Sequence, residues 1–111
     1  MSERSMLSTH VLDASNGTPA QGVSVTLRVD EDTIVADGIT DEQGRIADLG
    51  PTTLPMGKYR LTFGSGDYFA GRGVDTFYPT VDIVFEVTAD AAHYHVPLLL
   101  SPFAFTTYRG S

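Results

Sequence analysis

The chain has 111 residues, which is enough for one domain and too few for two ordinary ones. Seven Lys and Arg against fourteen Asp and Glu give a formal net charge of −7. That balance argues against a nucleic-acid binder or a protein that docks on anionic membranes, because both need a basic face. The absence of cysteine excludes disulfides, thiolate nucleophiles and thiolate metal sites. No apolar run approaches the roughly 20 residues that cross a bilayer, and no secretory signal pattern is visible. We therefore expect a single cytoplasmic domain over residues 1–111.

Apolar and polar residues alternate with a period of two along most of the chain, a pattern that predicts half-buried β-strands. The predicted strands cover, in chain order, residues 7–12, 23–30, 33–36, 59–63, 81–87, 93–100 and 105–109. Turn signals such as Asn16-Gly17 and Asp37-Gly38 separate them. A Gly-rich break at residues 64–73 has room for one short helix around residues 67–70. Closely spaced turns between such strands are typical of an all-β sandwich or barrel.

Charge is unevenly distributed along the chain. Residues 30–48 contain seven acidic side chains, and Arg45 is the only basic one among them. After Asp90 there is no Asp or Glu, and this closing stretch carries His93, His95 and Arg109. A partner that engages this end is therefore expected to be uncharged or anionic. The alternative is that the acids simply occupy exposed loops.

The His-x-His pattern at residues 93–95 is the first candidate for chemistry. In a strand, His93 and His95 share one face, and the opposite face carries the apolar residues Tyr94, Val96, Leu98 and Leu100. Histidine titrates near neutrality and suits a general acid or base. The same spacing also permits chelation of a metal, with His10 as a third ligand. A third possibility is that the rings only bond to backbone at an interface.

His10 and Arg45 are weaker candidates when each is taken alone. His10 lies in the first predicted strand, on the face shared with Ser8 and Leu12, and a single strand histidine is more often structural than catalytic. Arg45 follows Gly44 in a turn and is most simply a counter-ion for the surrounding carboxylates. As a functional group, its planar fork would bind an anion or a pair of carbonyl oxygens.

Several motifs spread over the whole chain resemble those of one family. They are Thr9-His10-Val11-Leu12-Asp13, Gly17-x-Pro19-Ala20, Gly44-Arg45, His93-Tyr94-His95-Val96-Pro97, Ser101-Pro102 and Tyr108-Arg109-Gly110-Ser111. Together they resemble the 5-hydroxyisourate hydrolases, the transthyretin-related proteins of purine catabolism. The Tyr-Arg-Gly-Ser element at the end of the sequence is the most specific of them. Transthyretin itself, the hormone carrier on the same fold, keeps neither that element nor the histidines.

The resemblance implies a transthyretin-like sandwich of two four-stranded sheets with one short helix, assembled as a homotetramer with sites at the dimer–dimer interface. The implied reaction is hydrolysis of 5-hydroxyisourate, a small purine-derived substrate, to 2-oxo-4-hydroxy-4-carboxy-5-ureidoimidazoline, without cofactor or metal. The implied catalytic residues are His10, Arg45, His95 and Ser111, and Tyr108, Arg109 and Gly110 are implied to shape the substrate pocket. His93, the first histidine of the His-x-His pattern, stays outside the catalytic set.

The sequence departs from the family pattern at two places, and three other functions stay open. Phe103-Ala104-Phe105 stands where Tyr-Gly-Tyr is common, and Thr80 stands where Glu is usual; neither change touches the implied catalytic set. A transthyretin-like carrier would bind a small molecule without turnover. An immunoglobulin-like structural module would be a monomer. A metal-dependent hydrolase would use all three histidines of the chain.

Overall fold

The structure, a computed structural model, describes residues 5–30, 32–88 and 93–110. Within these ranges there are nine strands and one helix. In chain order they are β1 (Leu7–Asp13), β2 (Thr18–Pro19), β3 (Ser24–Val29), β4 (Thr33–Ile39), β5 (Arg45–Ile46), β6 (Gly57–Phe63), α1 (Ser65–Gly71), β7 (Val81–Val87), β8 (Tyr94–Ser101) and β9 (Ala104–Thr107).

The strands form two sheets. The first has the order β2-β1-β8-β9, with β5 paired to β1 beside β2. The second has the order β4-β3-β6-β7. The pair β1·β8 is parallel, and the other strand pairs are antiparallel. Because residues paired across neighbouring strands project to the same side, the β1·β8 register determines which side chains of the two strands meet.

The core lies between the two sheets and is built from alternate residues of each strand. β3 contributes Val25 and Leu27, which are fully buried, and β6 contributes Leu61 and Phe63. β8 contributes the four residues predicted for its core face, Tyr94, Val96, Leu98 and Leu100. Burying each aliphatic or aromatic side chain of this size stabilises the fold by about 1.5–3 kcal/mol. The period of two in the sequence is therefore the pattern of the core.

The predicted sandwich is confirmed, and so is a single short helix in the Gly-rich break. The helix is longer than predicted, because it begins at Ser65, whose hydroxyl donates to the Tyr78 carbonyl oxygen, and it buries Phe69. The strands β2 and β5 were not predicted, since two residues are too short to show a period. With β5 the first sheet has five strands rather than four.

In the part of the chain that the structure describes, no helix has the length and apolar character that crossing a membrane requires.

Candidate active site

The outer face of the first sheet gathers the predicted histidines and arginine. His10 in β1 is the direct partner of Arg45 in β5, and Ser8 in β1 is the direct partner of His95 in β8. Direct partners in a sheet have Cα atoms only about 4.5–5.5 Å apart. Three strands that are distant in sequence therefore bring His10, Arg45 and His95 together on one face, and this face lies opposite the core.

A tight turn before β5 positions Arg45. Asp41 Oδ1 accepts hydrogen bonds from the backbone N–H groups of Gln43 (2.8 Å) and Arg45 (3.0 Å). These bonds, with that from Arg45 first, hold the pKa of the Asp41 carboxyl below its usual value of 3.8. Gly44 adopts a φ of +75°, and a Cβ there would lie 2.2 Å from the Val11 carbonyl oxygen. Only glycine fits this turn as it is folded.

The same turn orients the ring of His10. His10 Nε2 lies 2.9 Å from the carbonyl oxygen of Gln43. A carbonyl oxygen only accepts hydrogen bonds, so Nε2 is the donor and carries a proton. In the neutral ring this leaves Nδ1 as the nitrogen that can take up a proton. The turn therefore places Arg45 and also selects the tautomer of His10.

The ring of His95 is held from the other side by β1. His95 Nδ1 lies 2.8 Å from Ser8 Oγ, and His93 Nε2 lies 3.0 Å from the same oxygen. His93 is exposed, whereas His95 is half-buried. Both rings therefore lie on the predicted non-core face of β8, and a serine hydroxyl connects them.

The surroundings of His95 favour its neutral form. Partial burial is the largest cause that lowers the pKa of His95 from its usual value of 6.5, and His10, Arg45 and His93 lower it further when they carry positive charge. A hydrogen bond with the backbone of Ser8 acts in the opposite direction. At neutral pH the ring is uncharged and can accept a proton, as a general base requires.

The end of the chain packs beside His95. Gly110 forms an antiparallel bridge with His95, and its N–H donates to the His95 carbonyl oxygen at 2.8 Å. A Cβ on Gly110 would lie 2.4 Å from His95 Cδ2, so glycine permits this close approach. The guanidinium of Arg109 lies 4.8 Å from the ring centroid of Tyr94, which places it toward the interior side of the sheet. Ser111 lies outside the described residues.

A cavity of about 320 Å³ adjoins His95 at the open edge between the sheets. Its lining includes His95 and two further predicted residues, Tyr108 and Arg109. The remaining lining residues are Ile83, Phe85, Glu86, Tyr94, Val96 and Thr107. His10 and Arg45 are not part of this lining. The predicted site residues therefore lie in two groups, His10 with Arg45 on the outer face and Tyr108 with Arg109 at the edge, and His95 adjoins both.

Among the described residues, no three His, Cys, Asp or Glu side chains lie close enough together to hold a metal ion. Between His93 and His95 stands the hydroxyl of Ser8. The groups that the site offers are two imidazoles with defined hydrogen-bond partners, one guanidinium and a hydroxyl. Such a set can activate water, transfer protons and stabilise a developing oxyanion.

Sequence reasoning missed two residues of this arrangement. The alternation of β1 shows only that Ser8 shares a face with His10, and its contact with His95 depends on the parallel pairing of β1 with β8. By composition alone, Asp41 is one more acidic residue. The spacing of Asp41 two residues before Gln43 and three before Gly44 is a turn signal, and it could have identified Asp41 as the acceptor that orders the turn.

Comparisons with known proteins agree with this fold. A sequence model of the HIUase/Transthyretin family matches residues 7–110. The 5-hydroxyisourate hydrolase of Salmonella typhimurium is 44% identical over 110 residues, covering 96% of this chain and 81% of that protein. The structure of Klebsiella pneumoniae 5-hydroxyisourate hydrolase is similar, with a TM-score of 0.87, 43% identity and coverage of 96% of this chain and 94% of that chain.

Transthyretin from Sparus aurata is equally close in structure. Its TM-score is 0.89, with 34% identity and coverage of 96% of this chain and 97% of that chain. The backbone therefore does not separate a hydrolase from a transthyretin, and side chains such as His10, Arg45 and His95 have to do so. On the family match and the identity over nearly its full length, the chain belongs to the HIUase/Transthyretin family.

Proposed function

We propose that this protein hydrolyses 5-hydroxyisourate to 2-oxo-4-hydroxy-4-carboxy-5-ureidoimidazoline, as a step of urate breakdown. Relatives more than 40% identical to it are named 5-hydroxyisourate hydrolase. The observation that carries the proposal is the register of β1, β5 and β8, which collects His10, Arg45 and His95 on one face. Ring opening by water needs a base, an oxyanion partner and a proton for the leaving nitrogen, and these three side chains can supply them.

In this mechanism, His95 is the base. Its Nδ1 faces Ser8, so its Nε2 is the nitrogen that takes a proton from the attacking water. The lowered pKa of His95, caused first by burial and then by the neighbouring positive charges, keeps the ring neutral before the reaction. Positioned acid–base catalysis of this kind contributes about 10²–10⁴-fold to the rate.

Arg45 stabilises the negative charge that develops on the carbonyl oxygen when water adds. Its guanidinium offers several N–H donors in a planar fork, and the turn at residues 41–45 fixes its backbone before the substrate arrives. Oxyanion stabilisation is electrostatic, and it is most effective when the donor is held in place beforehand and little reorganisation is needed as the charge develops.

His10 completes the proton transfer. Because its Nε2–H is donated to the Gln43 carbonyl oxygen, the nitrogen that exchanges a proton with the substrate is Nδ1. For this step His10 starts with a second proton on Nδ1, and when the carbon–nitrogen bond of the six-membered ring breaks, that proton passes to the leaving nitrogen. The proton abstracted from water by His95 stays on that ring until the product leaves. His10 regains a proton from solvent after the reaction, and His95 releases its own to solvent.

Ser111, Tyr108, Arg109 and Gly110 complete the substrate pocket in this proposal. Ser111 adds hydrogen bonds to the water or the substrate, and the other three residues shape the pocket wall. The protein acts as a homotetramer with its sites between dimers. A single copy leaves the histidine face of the first sheet open to solvent, and a second dimer over that face supplies the opposite wall.

A transthyretin-like carrier is the second candidate, and the structural similarity to the Sparus aurata transthyretin favours it. A carrier would hold a small molecule in the same channel without converting it. It has no use for a neutral His95 beside Arg45, whereas a hydrolase depends on them. Turnover separates the two candidates.

The test is the decay of freshly generated 5-hydroxyisourate, followed by absorbance with and without protein. We expect the wild-type protein to accelerate the decay and Arg45→Ala to lose about 10²–10³-fold of kcat, the scale of losing one oxyanion donor. Arg60→Ala is the matched control, because it removes the same charge from β6 in the other sheet. It should keep wild-type activity.

Decay at the buffer rate with wild-type protein would rule out the hydrolase. A stable urate analogue that binds under those conditions would then favour the carrier. Equal losses in Arg45→Ala and Arg60→Ala would show that net charge, rather than the position of Arg45, matters.

A further inference from the structure

The hydroxyl of Ser8 is placed between two imidazole rings. Its Oγ lies 2.8 Å from His95 Nδ1 and 3.0 Å from His93 Nε2. Ser8 is the direct partner of His95 in the parallel strand pair and is only 7% exposed. Because the short side chain projects from a hydrogen-bonded strand, its oxygen has little freedom to move away from the two rings.

The chemistry of a hydroxyl couples these rings. A hydroxyl has one proton, so it can donate to only one of the two nitrogens and must accept from the other. When both rings are neutral, Nδ1 of His95 and Nε2 of His93 therefore carry one proton between them. The tautomer of one ring determines the tautomer of the other.

The surrounding charges select one of the two arrangements. Arg45 is always charged, and its charge acts on His95. Because Nδ1 is engaged by Ser8, Nε2 is the nitrogen left to face that charge, and positive charge favours a lone pair there over an N–H. This puts the proton of His95 on Nδ1, where it is donated to Ser8 Oγ. The proton of Ser8 is then donated to Nε2 of His93.

We propose that Ser8 is a positioning residue that holds His95 as the Nδ1–H tautomer, with the lone pair on Nε2, and that His93 accepts the Ser8 proton and so maintains that arrangement. The catalytic consequence rests on the proposed hydrolase function. The tautomer itself is a property of the resting protein and can be measured without substrate.

The arrangement has a consequence for pH dependence. A protonated His93 cannot accept from Ser8, so the hydroxyl turns, accepts from His93 and donates to His95 Nδ1. The proton of His95 then moves to Nε2, and the base is lost. Other charged or titratable groups around His95 lie on β1, on β5 and in the lining of the adjoining cavity. They are His10, Arg45, Glu86, Tyr94, Tyr108 and Arg109.

The decisive experiment is ¹⁵N NMR of histidine-labelled protein at slightly alkaline pH, comparing the wild type with Ser8→Ala and Ser8→Thr. We expect the wild-type His95 signals to show a protonated Nδ1 and an unprotonated Nε2. Ser8→Ala should shift the signals toward the Nε2–H form. Ser8→Thr keeps the hydroxyl and should retain the wild-type pattern.

Kinetics provide the second readout. Ser8→Ala should lower kcat by about 10–100-fold, a part of the roughly 10⁴-fold that a wrong tautomer can cost, and should leave KM nearly unchanged. Ser24→Ala removes an exposed serine hydroxyl from β3 in the other sheet and should leave both constants unchanged. In His93→Gln, an amide oxygen accepts from Ser8 at any pH. On the acidic side, the number of protons whose binding lowers kcat, read from the slope of log kcat against pH, should therefore fall by about one.

Two results would overturn the proposal. One is a wild-type His95 that carries its proton on Nε2, and the other is a His95 tautomer that does not change in Ser8→Ala. If the NMR pattern is as expected but the wild-type protein does not accelerate substrate decay, the positioning role of Ser8 stands and the hydrolase function fails. The two proposals can therefore fail separately.

Discussion

The two ends of β1 use polar side chains in opposite ways. At the carboxyl end, Asp13 is 1% exposed, and its carboxylate accepts hydrogen bonds from the Ser15 N–H (3.0 Å), the Ser15 hydroxyl and the Tyr68 hydroxyl (2.7 Å). Arg72 adds its charge at 3.9 Å. Toward the amino end, Ser8 contacts Nδ1 of the His95 ring, and His10 donates from its own Nε2 to the Gln43 carbonyl oxygen. Each of these two rings keeps its other nitrogen for a further partner.

The titration of these groups differs in the same way. Burial acts to raise the pKa of Asp13, but the hydrogen bonds from Ser15 and Tyr68 lower it overall. Burial, followed by the bond to Asp13, raises the pKa of Tyr68 to about 12. Asp13 stays charged and Tyr68 stays uncharged at neutral pH, whereas the surroundings of His95 lower its pKa from 6.5 and favour a neutral ring that can accept a proton. A polar group whose hydrogen-bonding positions are occupied within the protein stabilises the fold. A group such as His95, which keeps one ring nitrogen for proton transfer, can take part in chemistry.

The largest expected effect comes from breaking the turn that serves the histidine end. Gly44→Ala places a Cβ about where the Val11 carbonyl oxygen lies, at 2.2 Å, so the turn must move and take Arg45 and the Gln43 carbonyl with it. We expect a loss of about 2–4 kcal/mol in unfolding free energy, as for a strained backbone and a lost sheet contact. We also expect kcat to fall by about 10²-fold or more, because the donor to the oxyanion is displaced.

Gly22→Ala is the matched control. Gly22 has a φ of +85°, similar to that of Gly44, but a Cβ there has no heavy atom within 4 Å. It should cost about 1 kcal/mol through the backbone conformation alone and leave kcat unchanged. Chemical denaturation and the decay assay measure the two effects. If both variants behave alike, the position of the turn does not matter to the site.

The next effect concerns substitutions at the carboxyl end of β1, which should lower the unfolding free energy and leave kcat unchanged. Asp13→Ala removes the buried carboxylate that accepts hydrogen bonds from the exposed Ser15 and the half-buried Tyr68. We expect a loss of about 2–4 kcal/mol, because hydrogen bonds to a charged acceptor contribute about 1.5–3 kcal/mol each and Ser15 can bond to water instead. Tyr68→Phe removes one donor and leaves the Ser15 bonds, so it should cost about 1–2 kcal/mol.

In both variants, kcat per folded molecule should stay at the wild-type value, measured well below the unfolding temperature. A fall in kcat that is larger than the fall in the folded fraction would connect the two ends of β1. The contrast between a structural end and a chemical end would then be wrong.

Whether a feature of this structure can be predicted from the sequence depends on how far apart in the chain the interacting residues lie. The strands with a period of two were predictable, because alternation reports burial directly: Val25, Leu27 and Leu61 are fully buried. The face of His93 and His95 was predictable for the same reason. The two-residue strand β5 was not, since its pairing with β1 depends on the turn at residues 41–45 and shows no period.

The partners within the site could not be predicted from local pattern. Ser8 meets His95 across 87 positions of the chain, and only the parallel pairing of β1 with β8 sets that register. Tyr68 reaches Asp13 across 55 positions. The family resemblance identified His10, Arg45 and His95, but it did not show which ring nitrogen faces which partner. That detail depends on the backbone geometry.

The smallest expected effect is on the pH dependence of the unfolding free energy. The two ends of β1 should contribute to it over different ranges of pH. The pKa of His95 in the folded protein is lowered from its usual 6.5, so the unfolded chain binds a proton there more readily. Stability is therefore fully present above pH 6.5 and declines as the pH falls through the folded pKa of His95. Asp13 has its pKa lowered from 3.8, so its contribution is lost only in more acidic solution, as the pH falls through its folded value.

Unfolding free energies measured from mildly alkaline to acidic pH test this separation. In His95→Gln, a neutral amide replaces the ring, so the decline just below pH 6.5 should be smaller than in the wild type. In Asp13→Asn, that decline should remain, and the steeper loss in strongly acidic solution should shrink. If His95→Gln and the wild type show the same slope, the ring takes up its proton equally in both states, and the neutral base at the histidine end would have to be another group.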